Sequence, residues 1–296
     1  MPFIRKSYFI HRPTKLFLFL MQTFNIPIHQ AQKIIDTRKV YQNGKLITDK
    51  SAVVEGKIEI VEFIPQSRGL EPLFETKDFA IYDKPSGIMV HPRNRKSGYT
   101  LIDEVRHRFG HEANITHRID KETSGLVLVS KHKKAERILK GMFEAKKIQK
   151  SYHAIVKGVI KKKLFIDAPI LKNRDYSKVK LKVFVDERGK PAQTIIRPLR
   201  ILGDKTLIEA IPLTGRQHQI RAHLFHVKHP IVGDPIYGVP TEVAIAYLDG
   251  VLEENERIRY TGATRLMLHA VRLDFTFDRT RYVVVSPYDL SKELRS

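Results

Sequence analysis

Short apolar runs of strand length, divided by turn residues and only now and then by a helical stripe, constrain the fold of this chain most. Phe79-Ala80-Ile81-Tyr82 and Leu126-Val127-Leu128-Val129 are unbroken apolar runs, the pattern of strands buried on both faces. Tyr152 to Val156, Val179 to Val185, Thr206 to Ile211 and Tyr282 to Val285 add further strand-like stretches, with few long helices between them. Lys84-Pro85-Ser86-Gly87 reads as a turn after the first run. After the second, Ala135, Ile138, Leu139, Met142 and Phe143 recur at helical spacing, while Lys133, Lys134, Arg137, Lys140, Lys146 and Lys147 supply a basic opposite side. The class predicted is α+β, dominated by sheet.

A smaller unit precedes it. Leu16, Leu18, Phe19 and Leu20 open a first helix, and Ala31, Ile34 and Ile35 mark one face of a second from about His29 to Thr37. Val40-Tyr41 then enters an Asn43-Gly44 hairpin turn, and residues 53–61 supply more strand around Gly56. The polar stretch 65–72, with its prolines and glycine, reads as a linker. The boundaries predicted are a domain over 1–64 with an amino-terminal extension, a linker over 65–72 and a larger domain over 73–296. The apolar run Leu16 to Met21 is too short for a signal peptide or a membrane span, which points to the cytoplasm. Arg5, Lys6, Arg12 and Lys15 among aromatics, with no acidic residue before Asp36, also fit an organellar transit peptide as a lesser alternative.

Lys and Arg number 53 against 32 Asp and Glu, a formal charge of +21 in 296 residues. Such a balance favours polyanionic partners, because each phosphate neutralised releases counterions; RNA, DNA and an anionic membrane surface are the candidates. No cysteine is present, which excludes disulfides, thiolate nucleophiles and Cys-ligated zinc. Neither a Gly-x-x-x-x-Gly-Lys phosphate loop nor a Gly-x-Gly-x-x-Gly dinucleotide motif occurs, so chemistry without a cofactor is expected.

One carboxylate stands out. Asp120 follows His117-Arg118-Ile119 and precedes Lys121-Glu122-Thr123-Ser124-Gly125, just before the apolar run at 126–129, so it sits on a loop beside a rigid sheet. A nearby arginine favours the ionised form of such a carboxylate, which then serves as nucleophile or base; taken locally, a backbone cap explains Asp, Thr and Ser equally well. His218, His223, His226 and His229 fall within twelve residues, but without a metalloprotease spacing they are read as surface or RNA-facing and no metal is expected. Asp83 and Asp234 are read as structural, bonding turns near the cleft.

The segment His117 to Lys131 resembles the signature of the RluA family of RNA pseudouridine synthases, with Ile119 where leucine is commoner. Tyr82-Asp83-Lys84-Pro85-Ser86-Gly87 with Val90-His91-Pro92, Lys150-Ser151-Tyr152-His153-Ala154, Thr214 to His223, and Gly233 to Gly238 agree in the same order. The resemblance implies the pseudouridine synthase fold, with a mixed, mainly antiparallel central sheet, and isomerisation of uridine in structured RNA, ribosomal RNA first and transfer RNA second. It implies Asp120 as nucleophile, Tyr152 stacked on the target base and Arg221 paired with Asp120. Arg118 would fill the stack when the base leaves, with His117 beside it on the RNA. The order Ala31-Gln32-Lys33-Ile34-Ile35, Val40 to Lys45 and Val54 to Ile58 resembles an S4-type RNA-binding module, in which Lys33, Arg38 and Lys39 would meet phosphates; Ile26 to Gln30 depart from that pattern at the start of its second helix. The implied protein is a monomer needing no protein partner. The competing expectation is a basic RNA-binding or ribosome-assembly protein that keeps the fold without catalysis.

Overall fold

The first thirteen described residues past Pro2 form a strand. In the computed structural model, which describes residues 2–172, 179 and 181–294, β1 (Phe3–Lys15) pairs antiparallel with β4 (Val53–Phe63) from Phe3↔Phe63 to Lys15↔Val53. The register shifts between Ile10 and Thr14, where Pro13, having no amide hydrogen to give a ladder, is accommodated in the irregularity. Between these strands come α1 (Leu16–Phe24), α2 (Ile28–Asp36), β2 (Val40–Gln42) and β3 (Lys45–Ile47), and the sheet order is β1-β4-β2-β3. Asn43 (φ 48°) and Gly44 (φ 76°) both take the left-handed conformation that a tight hairpin between β2 and β3 requires. Leu16, Leu20, Ala31 and Ile35 from the helices close over Val40, Val54, Ile58 and Ile60 from the sheet. By its internal contacts this unit comprises Met1–Ser67 and a later segment, Pro92–Tyr99, whose Arg95 donates to the Thr37 carbonyl at the end of α2.

The second unit, Arg68–His91 with Thr100–Ser296, is built on a large sheet. Its elements are β5 (Pro72–Glu75), β6 (Phe79–Lys84), α3 (Leu101–Phe109), β7 (Asn114–Ile115), β8 (Ser124–Ser130), α4 (Lys133–Glu144), β9 (Gln149–Lys157), β10 (Leu164–Asp167), β11 (Ile170–Lys172), β12 (Val183–Val185), β13 (Gln193–Leu202), β14 (Lys205–Pro212), α5 (Gln219–His226), α6 (Thr241–Asp249), α7 (Glu254–Thr261), β15 (Leu268–Phe277), β16 (Thr280–Val285) and a 3-10 turn at Leu290–Leu294. Among the described residues the sheet has ten strands in the order β10-β13-β14-β9-β15-β8-β6-β5, with β16 on β15 and β7 on β8. Every pairing in it is antiparallel except β8 with β15.

The apolar run at 126–129 lies in β8, all seven residues of which are buried, and Ala135 and Leu139 of α4 pack on Leu126 and Leu128. Ile138, counted above with the apolar side, faces solvent because the sheet covers a narrower stripe of α4. The strand expected over 179–185 shrinks to Val183–Val185: Leu181 is left-handed (φ 71°) and breaks the extended run, and residue 180 lies outside the described residues.

The parallel pairing of β8 with β15 sets a tight constraint. Gly125 faces Ala270 with φ 107°, and a Cβ built on it would lie 2.3 Å from the Ala270 carbonyl oxygen. Only glycine meets both conditions, and this point fixes the start of β8, five residues after Asp120. We expect Gly125→Ala to destabilise the protein by roughly 3 kcal/mol, checked by denaturant unfolding, since backbone strain and overpacking add there.

Candidate active site

Asp120 lies on the loop between β7 and β8, and that loop is pinned on both sides. The Lys121 carbonyl accepts from the Gly87 amide (3.0 Å) and from Lys84 Nζ (3.2 Å), and Ser86 Oγ donates to the Glu122 carbonyl (2.6 Å). Lys84 is fully buried and also donates to the carbonyls of Pro85 and Ile88, each at 2.8 Å. Burial pushes its ammonium down to about 7, although Glu122 and Asp120 work in the opposite direction. From the far side, Arg257 of α7 pairs with the Glu122 carboxylate at 2.6 Å.

Opposite Asp120 stands Arg221 of α5, 2% exposed. Its Nε and Nη2 each reach an oxygen of Asp234 at 2.8 Å, and its Nη1 reaches Asp120 Oδ2 at 3.2 Å. Asp234 accepts in addition from the amides of Ile236 (2.9 Å) and Tyr237 (3.0 Å). Burial opposes the charge of Arg221, but the carboxylates of Asp234 and Asp120 more than offset this and hold its pKa above the ordinary value. The forked pair with Asp234 fixes the guanidinium plane, so the remaining nitrogen is aimed rather than free to swing.

His218 completes this wall. It holds a left-handed backbone (φ 52°) at the start of α5, with Nε2 3.8 Å from Asp120 Oδ2 and Nδ1 3.2 Å from the Tyr237 hydroxyl. Arg221 and His218 both address Oδ2, and among the described residues Oδ1 has no hydrogen-bond partner. His218, expected to be surface or RNA-facing, lines the cleft with its side chain only 8% exposed. Asp83 accepts from Ser286 Oγ at 2.5 Å, while His223 is buried between Thr194 Oγ1 and the Ala168 carbonyl and is not surface-facing as expected. Among the described residues no three side chains converge as metal ligands.

A cleft of about 1140 Å³ opens over Asp120, lined by Tyr152, Arg118, His117, Lys150, Arg216 and Arg221 among others. Tyr152, on β9, is 7% exposed, and burial, helped by the charge of Asp120, raises its phenol above the usual value, so it stays protonated at neutral pH. Arg118 is exposed at the rim. The His117 ring is braced instead: Nε2 accepts from the Leu128 amide at 3.0 Å and the ring lies 4.4 Å from that of Phe143. Lys33, Arg38 and Lys39 belong to the first unit, with Lys33 and Arg38 exposed.

The family described as RNA pseudouridylate synthase matches residues 78–226, from the β6 strand through the end of α5. An uncharacterized RNA pseudouridine synthase of Helicobacter pylori is 36% identical over 290 residues, covering 97% of this chain and 96% of that protein. The chain belongs to the RNA pseudouridine synthase family. A ribosomal large subunit pseudouridine synthase D of Nitrosomonas europaea is 36% identical over 174 residues, 57% of this chain and 50% of that one. The structure of human RNA Pseudouridylate Synthase Domain Containing 1 superposes with a TM-score of 0.60 at 26% identity, covering 76% of this chain and 86% of that one. As an RNA pseudouridine synthase of RluA type, the protein isomerises uridine in RNA, and the cleft is where this family's fold and the aimed carboxylate coincide.

Three buried histidines set an acid limit on this synthase. Burial, then the charge of Lys150, pushes His117 down to about 3; burial, then Arg221, takes His218 to about 4; burial, then Arg265, takes His269 to about 4. Between the ordinary value of 6.5 and about 4, the unfolded chain binds protons at these histidines that the folded chain does not, so their contribution lowers stability as pH drops through that window, while above it the depressed Lys84 ammonium, at about 7, makes stability rise with pH. Thermal melts from pH 8 to 4 are expected to show a midpoint that falls more steeply below about pH 6.5, and His269→Gln should shallow that steeper part of the decline.

Proposed function

We propose that this synthase modifies ribosomal RNA, with Asp120 as its nucleophile. The observation that carries the role of Asp120 is its placement: a loop carboxylate in the cleft with one oxygen held by a buried, forked arginine and the other unengaged. In this reading Oδ1 acts at C1′ of the target ribose, either by adding to it or by promoting a glycal-like intermediate. The N1–C1′ bond breaks and the uracil turns within the cleft; C5 then bonds to C1′ as the carboxylate leaves C1′, or as the proton taken from C2′ is returned, and the proton lost from C5 is matched by one gained at N1. Arg221 keeps the carboxylate oriented. Tyr152, as a neutral phenol, serves as a stacking surface and hydrogen-bond donor rather than as a phenolate base.

Arg118, exposed at the rim, takes the space the extruded base leaves, a role suited to a flat cation. His117 supports the loop that carries it. Ribosomal RNA is favoured over transfer RNA because the Nitrosomonas relative is named a ribosomal large subunit synthase. The charge of +21 suits such a substrate. Lys33, Arg38 and Lys39 add phosphate contacts from the S4-like unit. The enzyme works as a cytoplasmic monomer without a cofactor.

Pseudouridine mapping of total RNA from cells with and without the gene tests the substrate. One or a few sites should vanish from ribosomal RNA and return with the wild-type gene, whereas a loss confined to transfer RNA would overturn the assignment. Replacing Lys33, Arg38 and Lys39 together by Ala is expected to weaken RNA binding about tenfold or more in 0.1 M salt, with a shallower salt dependence in filter-binding titrations.

A further inference from the structure

The cations of the cleft fall into two sets. Arg197 pairs with Glu209 at 3.3 Å and Arg272 with Asp274 at 2.6 Å, so these two are neutralised within the protein. Lys150 lines the same cleft, and among the described residues no carboxylate lies within 4.0 Å of its ammonium. It sits two residues before Tyr152 on β9, and successive side chains of a strand alternate faces, so both project to one side about 6.8 Å apart along the strand. Its Nζ is 5.9 Å from the centre of the Phe143 ring and makes no hydrogen bond to a protein acceptor among the described residues.

Across from it lies Gly215. A Cβ built there would meet nothing within 4 Å except Lys150 Nζ, at 3.9 Å, and the residue does not occupy the left-handed region. Neither backbone conformation nor packing requires glycine at this point. What it does is keep the space beside the ammonium open. A half-buried cation with no counter-ion is costly, and the cost is recovered when an anion enters.

We infer that Lys150 and the open floor at Gly215 form a seat for a phosphodiester adjoining the target uridine. The inference rests on the reading that places the uridine between Asp120 and Tyr152. Burial alone lowers the pKa of Lys150, and burial, then the charge of Lys150, lowers that of His117, so the neighbouring imidazole stays neutral. Lys146, exposed at the cleft margin, continues the positive path outward. A phosphate seat of this kind locates the nucleotide without reading its base, leaving sequence choice to other contacts.

The test uses the full-length enzyme and an RNA fragment containing a mapped target uridine, made with ordinary linkages or with a neutral methylphosphonate on either side of that uridine. Lys150→Met is expected to raise KM about tenfold on the ordinary fragment and to lower the slope of log KM against log salt by about 0.7, the value of one single-strand phosphate contact. One of the two methylphosphonates should raise the wild-type KM similarly and leave Lys150→Met indifferent, while Lys150→Arg keeps the wild-type sensitivity. Gly215→Ala, which narrows the seat without touching the charge, should raise KM on the ordinary fragment more than on that methylphosphonate, and it serves if Lys150→Met does not fold. Equal penalties from each methylphosphonate in wild type and Lys150→Met, or an unchanged salt slope, would overturn the inference. Asp120→Asn on the ordinary fragment separates the two readings: activity there defeats the nucleophile assignment, whereas the linkage comparison speaks only to the phosphate seat.

Discussion

The site depends on a single guanidinium shared unequally between two carboxylates. Arg221 is buried, and an arginine so placed is tolerated only where its donors are met with good geometry. Asp234 supplies that geometry with two 2.8 Å contacts and is itself held by two backbone amides. Asp120 takes the remaining nitrogen at 3.2 Å and stays 28% exposed on its side chain. One carboxylate is therefore structural and the other is presented to the cleft, though both face the same cation.

Presentation also requires that the loop not drift. Lys84, fully buried, ties three backbone carbonyls together beneath it, and Arg257 holds Glu122 from α7. Gly125 then lets β8 run against β15 at a distance no side chain permits. These contacts come from residues 84, 221 and 257, far apart in sequence, and their convergence turns an ordinary loop aspartate into a directed one.

Part of this was legible in the sequence. The apolar run of β8 and the stripe of α4 announced themselves because a buried strand and a helix packed on one side have simple periods. Asp120 was visible as a loop carboxylate, and its expected partnership with Arg221 came from family resemblance rather than local chemistry. The strand β1 was not legible: its basic residues and Pro13 blur the alternation, and its partner β4 lies some fifty residues on. The contact of His218 with Asp120 was not legible because it depends on a left-handed residue at the start of α5, nor was the burial of Lys84, since lysine is rarely buried unless carbonyls or acids gather around it. The membership of Pro92–Tyr99 in the first unit was equally hidden, since it rests on tertiary contacts such as Arg95 with Thr37.

The most direct test of this account is a single-turnover assay of purified Asp120→Asn at saturating RNA, alongside its binding affinity. Asparagine keeps the shape of the side chain but removes its charge and nucleophilicity. RNA affinity within about threefold of wild type is expected, given that phosphate contacts dominate binding, together with no detectable pseudouridine. Conversion at a rate close to wild type would contradict it.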